Sequence, residues 1–374
     1  MKTILISKQN LEKTYSGACR SVHEEIKYFR SMGCEVHTVS ENANVVDIEK
    51  SGGISHKSKR FFWQKKFKRR IQFSNETLKL AKKLKADVLI GHGDLQYPDV
   101  HFIHNCVHLA CEKIHGKPLP KDDEMYLTHT PIFQNHQFKH IVANSYLAKN
   151  ELIERFNVPE EDISVIYPAI DENQFKRLPS ATRVKIRHEL GIKEDEFLVG
   201  LVTSGNFKKR GVDRFFEAIN LLPKEIAEKT HFVFVGKDKL TPEFQAILDN
   251  SPYKHRIRTL PIINNVEEYF NALDIFVLPA RIEEFGRVVA EAMACGAPVI
   301  TTKWVGASEI IRNDAAEFVY EGSNNQELAD LMSKLLTDSE LRERVSLANQ
   351  ESAKEVYESA LREQFGAVFE RFMR

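Results

Sequence analysis

The sequence predicts an α/β protein built from two doubly wound domains that face each other across an interdomain cleft. Short apolar runs of strand length recur along all 374 residues, and amphipathic stretches of helical length separate them. The runs fall into two series, divided by a polar, proline-marked segment. Uninterrupted apolar strands alternating with helices are what a parallel sheet covered on both faces looks like in sequence. Two such series mean two Rossmann-like domains.

The first series reads "TILIS", "EVHTVS", "DVLIGH", "DVHFIHN", "HIVANS" and "ISVIYPA". The second reads "FLVGLVTS", "HFVFVG", "RIRTLP", "DIFVLPA", "PVITT" and "EFVY". Helices are expected over 17–32, 145–156, 211–221, 286–295 and 325–337, where apolar positions recur with helical spacing. The join falls within 168–195, around "YPAIDENQFKRLPSATRVK". This gives an N-terminal domain over 1–170 and a C-terminal domain over 171–356. The amphipathic tail within 357–374, "LREQFGAVFERFMR", is expected to cross back onto the first domain.

Composition narrows the class. Apolar residues make up 42% and charged residues 28%, as in a soluble globular protein. Lys plus Arg and Asp plus Glu both total 53, so net charge calls for no polyanionic partner. Nucleic-acid binding is possible from composition but lacks a supporting fold motif, so no nucleic-acid partner is expected. The five cysteines, Cys19, Cys34, Cys106, Cys111 and Cys295, are scattered and form no C-x-x-C, which suits a reducing compartment. The apolar run at the N-terminus is too short for a signal peptide, and no stretch approaches the roughly 20 apolar residues that cross a bilayer. The expected location is the cytoplasm, or the inner face of the plasma membrane.

The segment "EEFGRVVAEAMACGAPVITT" (283–302) sets Glu283 and Glu291 on either side of a helix start. The first turn of a helix offers unpaired amides and a partial positive charge, which together suit phosphate. Phe285, Gly286, Arg287 and Val288 would supply those amides, with glycine allowing close approach. Glu291, further along the helix, suits the paired hydroxyls of a ribose, and Glu283 the hydroxyls of a sugar beyond the phosphates. Ordinary surface acids at a helix start are the competing explanation, since they stabilise such a helix by about 1 kcal/mol or less.

A second loop, "TSGNFKKRGVDRFFEAI" (203–219), brings Lys208, Lys209 and Arg210 to the carboxyl end of another strand. Cations there would stabilise a diphosphate as it leaves a sugar. Enzymes that use a divalent metal for this hold it with D-x-D, which occurs nowhere in the chain, so no metal or other cofactor is expected. In the first domain Gly17 opens a helix just after the first strand, a third candidate phosphate turn. Neither that turn nor "GHGDLQ" (91–96) is G-x-G-x-x-G, so a dinucleotide reading has no support.

Taken together these segments resemble the retaining GT-B glycosyltransferases of family GT4. The resemblance rests on "YPAIDENQF", "FKKRGVDRF", "HFVFVGKDK", "ALDIFVLPA", the E-x7-E spacing of Glu283 and Glu291, "GAPVITT" and "GASEII". Within that family it is closest to the lipopolysaccharide core glucosyltransferases, through "RGVDR" and "VGKDK". It implies a nucleotide-diphosphate sugar donor, a UDP-sugar for preference. It also implies metal-independent transfer with retention of configuration, to a glycan or glycolipid acceptor. By position it assigns Glu283, Lys209, Arg210 and, on the acceptor side, His104 to catalysis, and Glu291 and Gly17 to the nucleotide sugar. Two departures stand out: Arg210 where the family carries lysine, and Asn105 where the nearest members carry aspartate.

His101, His104, His108 and Cys111 offer a rival metal reading, because His104 and His108 are four apart and could share a helix face. The stretch "KSKRFFWQKKFKRRIQF" (57–73) has no acid. It carries Lys57, Lys59, Arg60, Lys65, Lys66, Lys68, Arg69 and Arg70 among aromatics that include Trp63. Such a segment could dock on anionic lipid or meet the acceptor, or be a solvated loop. Two other functions would suit the same residues: a nucleotide-sugar epimerase of the same architecture, and a non-catalytic sugar-nucleotide-binding protein.

Overall fold

The computed structural model describes residues 1–12, 17–59, 66–93, 95–237 and 239–373. They divide into two compact units. The first comprises Met1–Pro168 with Leu361–Arg374, and the second Ala169–Ala360.

The first unit carries seven parallel strands: β1 (Thr3–Ser7), β2 (Glu35–Ser40), β3 (Ile54–Lys57), β4 (Val88–His92), β5 (Val100–Ile103), β6 (His140–Ala143) and β7 (Ile163–Val165). They lie in the order β3-β2-β1-β4-β5-β6-β7. Register follows burial: Ile4 of β1 pairs with Val36 on one side and Val88 on the other, and all three are fully buried. A one-residue slip would leave these positions out of step with the helices that cover them. The edge strand β3, "ISHK", was not among the expected strands. It is short and mostly polar, as edge strands often are.

The second unit repeats the plan with β8 (Phe197–Thr203), β9 (Thr230–Gly236), β10 (Ile257–Leu260), β11 (Ile275–Leu278), β12 (Val299–Thr302) and β13 (Val319–Tyr320). Their order is β10-β9-β8-β11-β12-β13, all parallel. In both sheets the chain works outward in one direction, then returns to the middle and works outward in the other. The place where it turns, beside β1 and beside β8, is where open α/β sheets bind ligands.

The polar join is more ordered than its composition suggested. Residues Ser180–Glu189 form a helix of the second unit, fastened by Arg183 and Arg187 to Asp274 at 2.6 and 2.9 Å. The last helix, Glu358–Met373, enters the first unit from Leu361 onward. There Phe369 meets Phe29 edge-on at 4.8 Å and Phe365 meets Tyr28 at 5.1 Å.

Candidate active site

The candidate donor site is assembled from the loops that follow β8 and β11, neighbouring strands at the switch point of the second sheet. After β8 the backbone takes positive φ at Gly205 and Asn206, then closes one turn through Arg210 N to Asn206 O at 3.1 Å. That turn presents Lys208, Lys209 and Arg210. Gly211, at φ +70°, ends it and starts the helix Val212–Asn220. A side chain on Gly211 would overlap the carbonyl oxygen of Pro279, so only glycine lets the two loops touch here.

Several bonds fasten the loops together. The backbone N–H of Arg281 donates to Lys209 O at 2.8 Å, and its guanidinium donates to Lys208 O and, in a fork, to Asp213 at 2.8 and 2.5 Å. Lys209 Nζ lies 2.5 Å from Glu284 Oε2. Arg210 pairs with Glu283. Two of the three cations at the strand end, Lys209 and Arg210, are therefore closed on carboxylates, because the two loops leave adjacent strands. Glu284, Arg281 and Asp213 are participants that spacing alone did not reveal. The signal available was the doubled acid at 283–284 opposite two successive cations.

Burial raises the cost of every charge in this cluster. Glu284 is 4% exposed, and desolvation alone would push its carboxyl up, but Lys209 outweighs that and holds it below the ordinary range. Burial pulls the Arg210 guanidinium down, with Glu284 opposing, and arginine stays charged throughout.

The rest of the 283–302 segment is held from both sides. Glu283 N donates to Trp304 O at 2.8 Å, and Gly306 N donates to Glu283 O at 2.9 Å. Gly286 has φ +88°, and an added Cβ would come within 3.0 Å of Glu283 Cγ and Val305 Cγ1. The helix Arg287–Ala294 begins directly after it. Phe285 is buried and accepts from Ala307 N at 2.7 Å. Val288 is half-buried. The Arg287 side chain is buried and bonds the Ala169 carbonyl, a structural use the sequence did not suggest. Glu291 lies on the same helix and is 6% exposed.

Gly17 and His104 belong to the first unit. Gly17 opens the helix Gly17–Ser31 and its carbonyl accepts from Ser21 Oγ at 3.3 Å. His104 follows β5 and lines a pocket with Ser21, Glu24, Asn144, Tyr167 and Phe365. The shared helix face of His104 and His108 does not exist. The helix there begins at Val107, His108 turns to Thr130 Oγ1 at 2.8 Å, and His104 bonds His92 at the same distance. Among the described residues no cluster of His, Cys, Asp and Glu has the geometry of a metal site.

Of the basic stretch, Arg60, Trp63 and Lys65 lie outside the described residues. Lys57 ends β3 and Lys59 follows, its N–H donating to Glu76 at 3.1 Å. Lys66, Lys68, Arg69 and Arg70 stand on the helix Lys66–Leu84 rather than on a loop. Acids arrive from elsewhere in the chain: Arg69 lies 3.4 Å from buried Glu41, and Lys66 3.7 Å from Glu124. Among the described residues no helix is long and apolar enough to cross a membrane.

Two doubly wound sheets of matching strand order, with paired acids and cations at one switch point, make up the GT-B fold. The comparisons agree. The model of group 1 glycosyl transferases matches residues 182–352, and that of glycosyltransferase family 4 matches residues 15–174. Each model covers a little under half of the chain, and both describe glycosyltransferases. It is 31% identical over 178 residues to the lipopolysaccharide glucosyltransferase WaaG of Escherichia coli K12, covering 47% of this chain and 46% of that protein. It is 32% identical over 224 residues to the N-acetyl-alpha-D-glucosaminyl L-malate synthase of Bacillus anthracis, covering 59% and 56%. The matches thus span about half the length of these curated relatives. Among solved structures, that of WaaG superposes with TM-score 0.80 at 20% identity, covering 98% of this chain and 99% of its own. Anabaena HepE in complex with UDP and glucose gives 0.77 at 18%, covering 99% and 100%.

Proposed function

We propose that the chain is a retaining, metal-independent hexosyltransferase. It takes its sugar from a nucleotide diphosphate, UDP for preference, and passes it to a glycan or glycolipid in lipopolysaccharide core or other cell-surface polysaccharide synthesis. The observation that carries this reading is the Lys209–Glu284 and Arg210–Glu283 pairing beside the first turn of Arg287–Ala294. A diphosphate placed there exchanges with the two carboxylates for the cations, and helix amides take further oxygens. Glu283, released from Arg210, then accepts from hydroxyls of the sugar, and Glu291 from those of the ribose. The absence of D-x-D from the sequence supports doing this without a metal.

Transfer breaks the bond between the anomeric carbon and the phosphate oxygen and forms one to an acceptor hydroxyl, whose proton passes to the departing phosphate. Attack on the face the phosphate leaves retains configuration without a covalent intermediate. UDP is preferred because HepE of the same fold has been solved with UDP and with UDP-glucose. The acceptor class follows from the name of the relative WaaG. The basic stretch would bring the protein to an anionic membrane carrying such an acceptor.

The test is a thermal-shift screen with UDP-, GDP-, ADP- and TDP-sugars, followed by NMR of any product's anomeric configuration. A ligand at 100 times its Kd stabilises by about 2.7 kcal/mol. Stabilisation by a UDP-sugar and an unchanged anomeric configuration are expected. Conversion of the free sugar nucleotide without acceptor would make the protein an epimerase, and binding without turnover a sensor. Activity lost to a chelator and restored by magnesium would refute the metal-independent step.

A further inference from the structure

His104 ends a line of three side chains drawn from three elements of the first unit. Glu25 comes from the helix Gly17–Ser31, His92 closes β4, and His104 follows β5. His92 Nε2 lies 3.0 Å from Glu25 Oε2, and His92 Nδ1 lies 2.8 Å from His104 Nε2. The two rings are 8° from parallel with centroids 5.1 Å apart. With so short an N···N distance, they must lie edge to edge, as a linear N–H···N bond requires. Phe102 lies flat against His92, centroids 5.0 Å apart at 12°. The Glu25 and His92 side chains are fully buried.

We infer that Glu25 is a positioning residue for His104: through His92 it determines which ring nitrogen of His104 carries hydrogen, and so whether that ring donates or accepts at the pocket it borders. This rests on the proposed function for its consequence in transfer, while the hydrogen placement stands independently. With Glu25 protonated, its O–H donates to His92 Nε2, His92 Nδ1–H donates to His104 Nε2, and His104 carries its hydrogen on Nδ1. With that one proton removed, every bond in the line reverses. His104 then bears hydrogen on Nε2 and accepts at Nδ1.

Burial favours the first arrangement, holding the Glu25 proton well above the ordinary carboxyl range. The charge of Glu24 adds to it and Lys8 opposes it. Another titratable neighbour is His101 of β5, which interacts with His92. An acid at this position also breaks the apolar stripe formed by Val22, Ile26 and Phe29, where packing alone would place an aliphatic residue.

The experiment is 15N NMR of histidine-labelled protein, with the His104 signals assigned by their loss in His104→Asn. Wild type should show one His104 tautomer. Glu25→Leu should give a mixture of the two, and Glu25→Gln, which keeps a polar partner for His92, should restore a single form. With UDP-glucose, Glu25→Leu should lower kcat about tenfold or more with KM little changed, and Glu25→Gln should recover most of it. Identical His104 signals in folded Glu25→Leu and wild type would overturn the inference, as would mixed signals with unaltered kcat. If Glu25→Leu does not fold, Glu25→Asp, whose carboxyl falls one carbon short of His92, decides it: a His104 tautomer unchanged in that variant overturns it. If wild type turns over no sugar nucleotide, the proposed function fails, and the spectra still decide the placement of hydrogen.

Discussion

Gly211 lies against the Pro279 carbonyl so closely that no side chain fits between them. That contact sets the distance between the loop carrying Lys209 and Arg210 and the loop carrying Glu283 and Glu284. Gly211→Ala adds a clash to a left-handed backbone, together about 2 kcal/mol or more. The melting temperature should fall by roughly 4–8 °C. An unchanged melting curve would show that the loops part without cost.

Lys209 and Glu284 form a buried pair, so removing one partner should hurt more than removing both. Lys209→Met should cost about 3–5 kcal/mol of stability by stranding Glu284, while Lys209→Met with Glu284→Leu should recover most of it. Neither variant should bind UDP well, because the cation is gone from both. Denaturant titration and calorimetry with UDP measure the two effects separately. Full UDP affinity in the double variant would remove Lys209 from the phosphate site.

Glu283→Ala should abolish sugar transfer yet leave UDP affinity undiminished, since the change releases Arg210. Calorimetry beside a radiolabelled transfer assay checks this. A drop in affinity for free UDP would contradict the sugar-side role given to Glu283.

Acid should destabilise the protein through His101. This ring is fully buried against the edge of Phe133, and burial, with His129 and His92, lowers its pKa to about 3. Its ordinary value is near 6.5, so below that pH the unfolded chain takes up a proton the folded one refuses. Stability is thus lost as pH falls from about 6.5 towards 3. At pH 5 the loss is about 2 kcal/mol, and His101→Phe should remove it while changing little at pH 7. Chemical denaturation at the two pH values tests it, and equal pH sensitivity in both proteins would count against it.

Neutralising Lys66, Lys68 and Arg70 together should weaken binding to anionic vesicles by about 3 kcal/mol, on the order of a hundredfold. Arg69 is left intact because it holds Glu41. Vesicle sedimentation unchanged in the triple variant would leave the basic helix with no part in docking.

The strands of both sheets were legible because a buried parallel strand is apolar without interruption, as "TILIS" and "DIFVLPA" are. The edge strand "ISHK" was not, since one side of it faces no neighbour and its residues need not be apolar. The E-x7-E spacing drew attention to Glu283 and Glu291 because both lie within one short segment. Glu284 escaped notice because its partner is 75 positions away, and only strand adjacency brings them together. Glu25 is a different case. An acid among Val22, Ile26 and Phe29 was visible in the helical pattern, but its meaning depended on His92, 67 residues further on.

The return of the chain at Leu361 makes the second unit an insertion within the first. Phe365 and Phe369, which complete the packing around Tyr28 and Phe29, are made only after the whole of the inserted unit. The half that begins first therefore closes last, after the inserted half has had the whole of its own sequence available. Cutting the chain after Ala360 would leave the inserted half intact and open the N-terminal core.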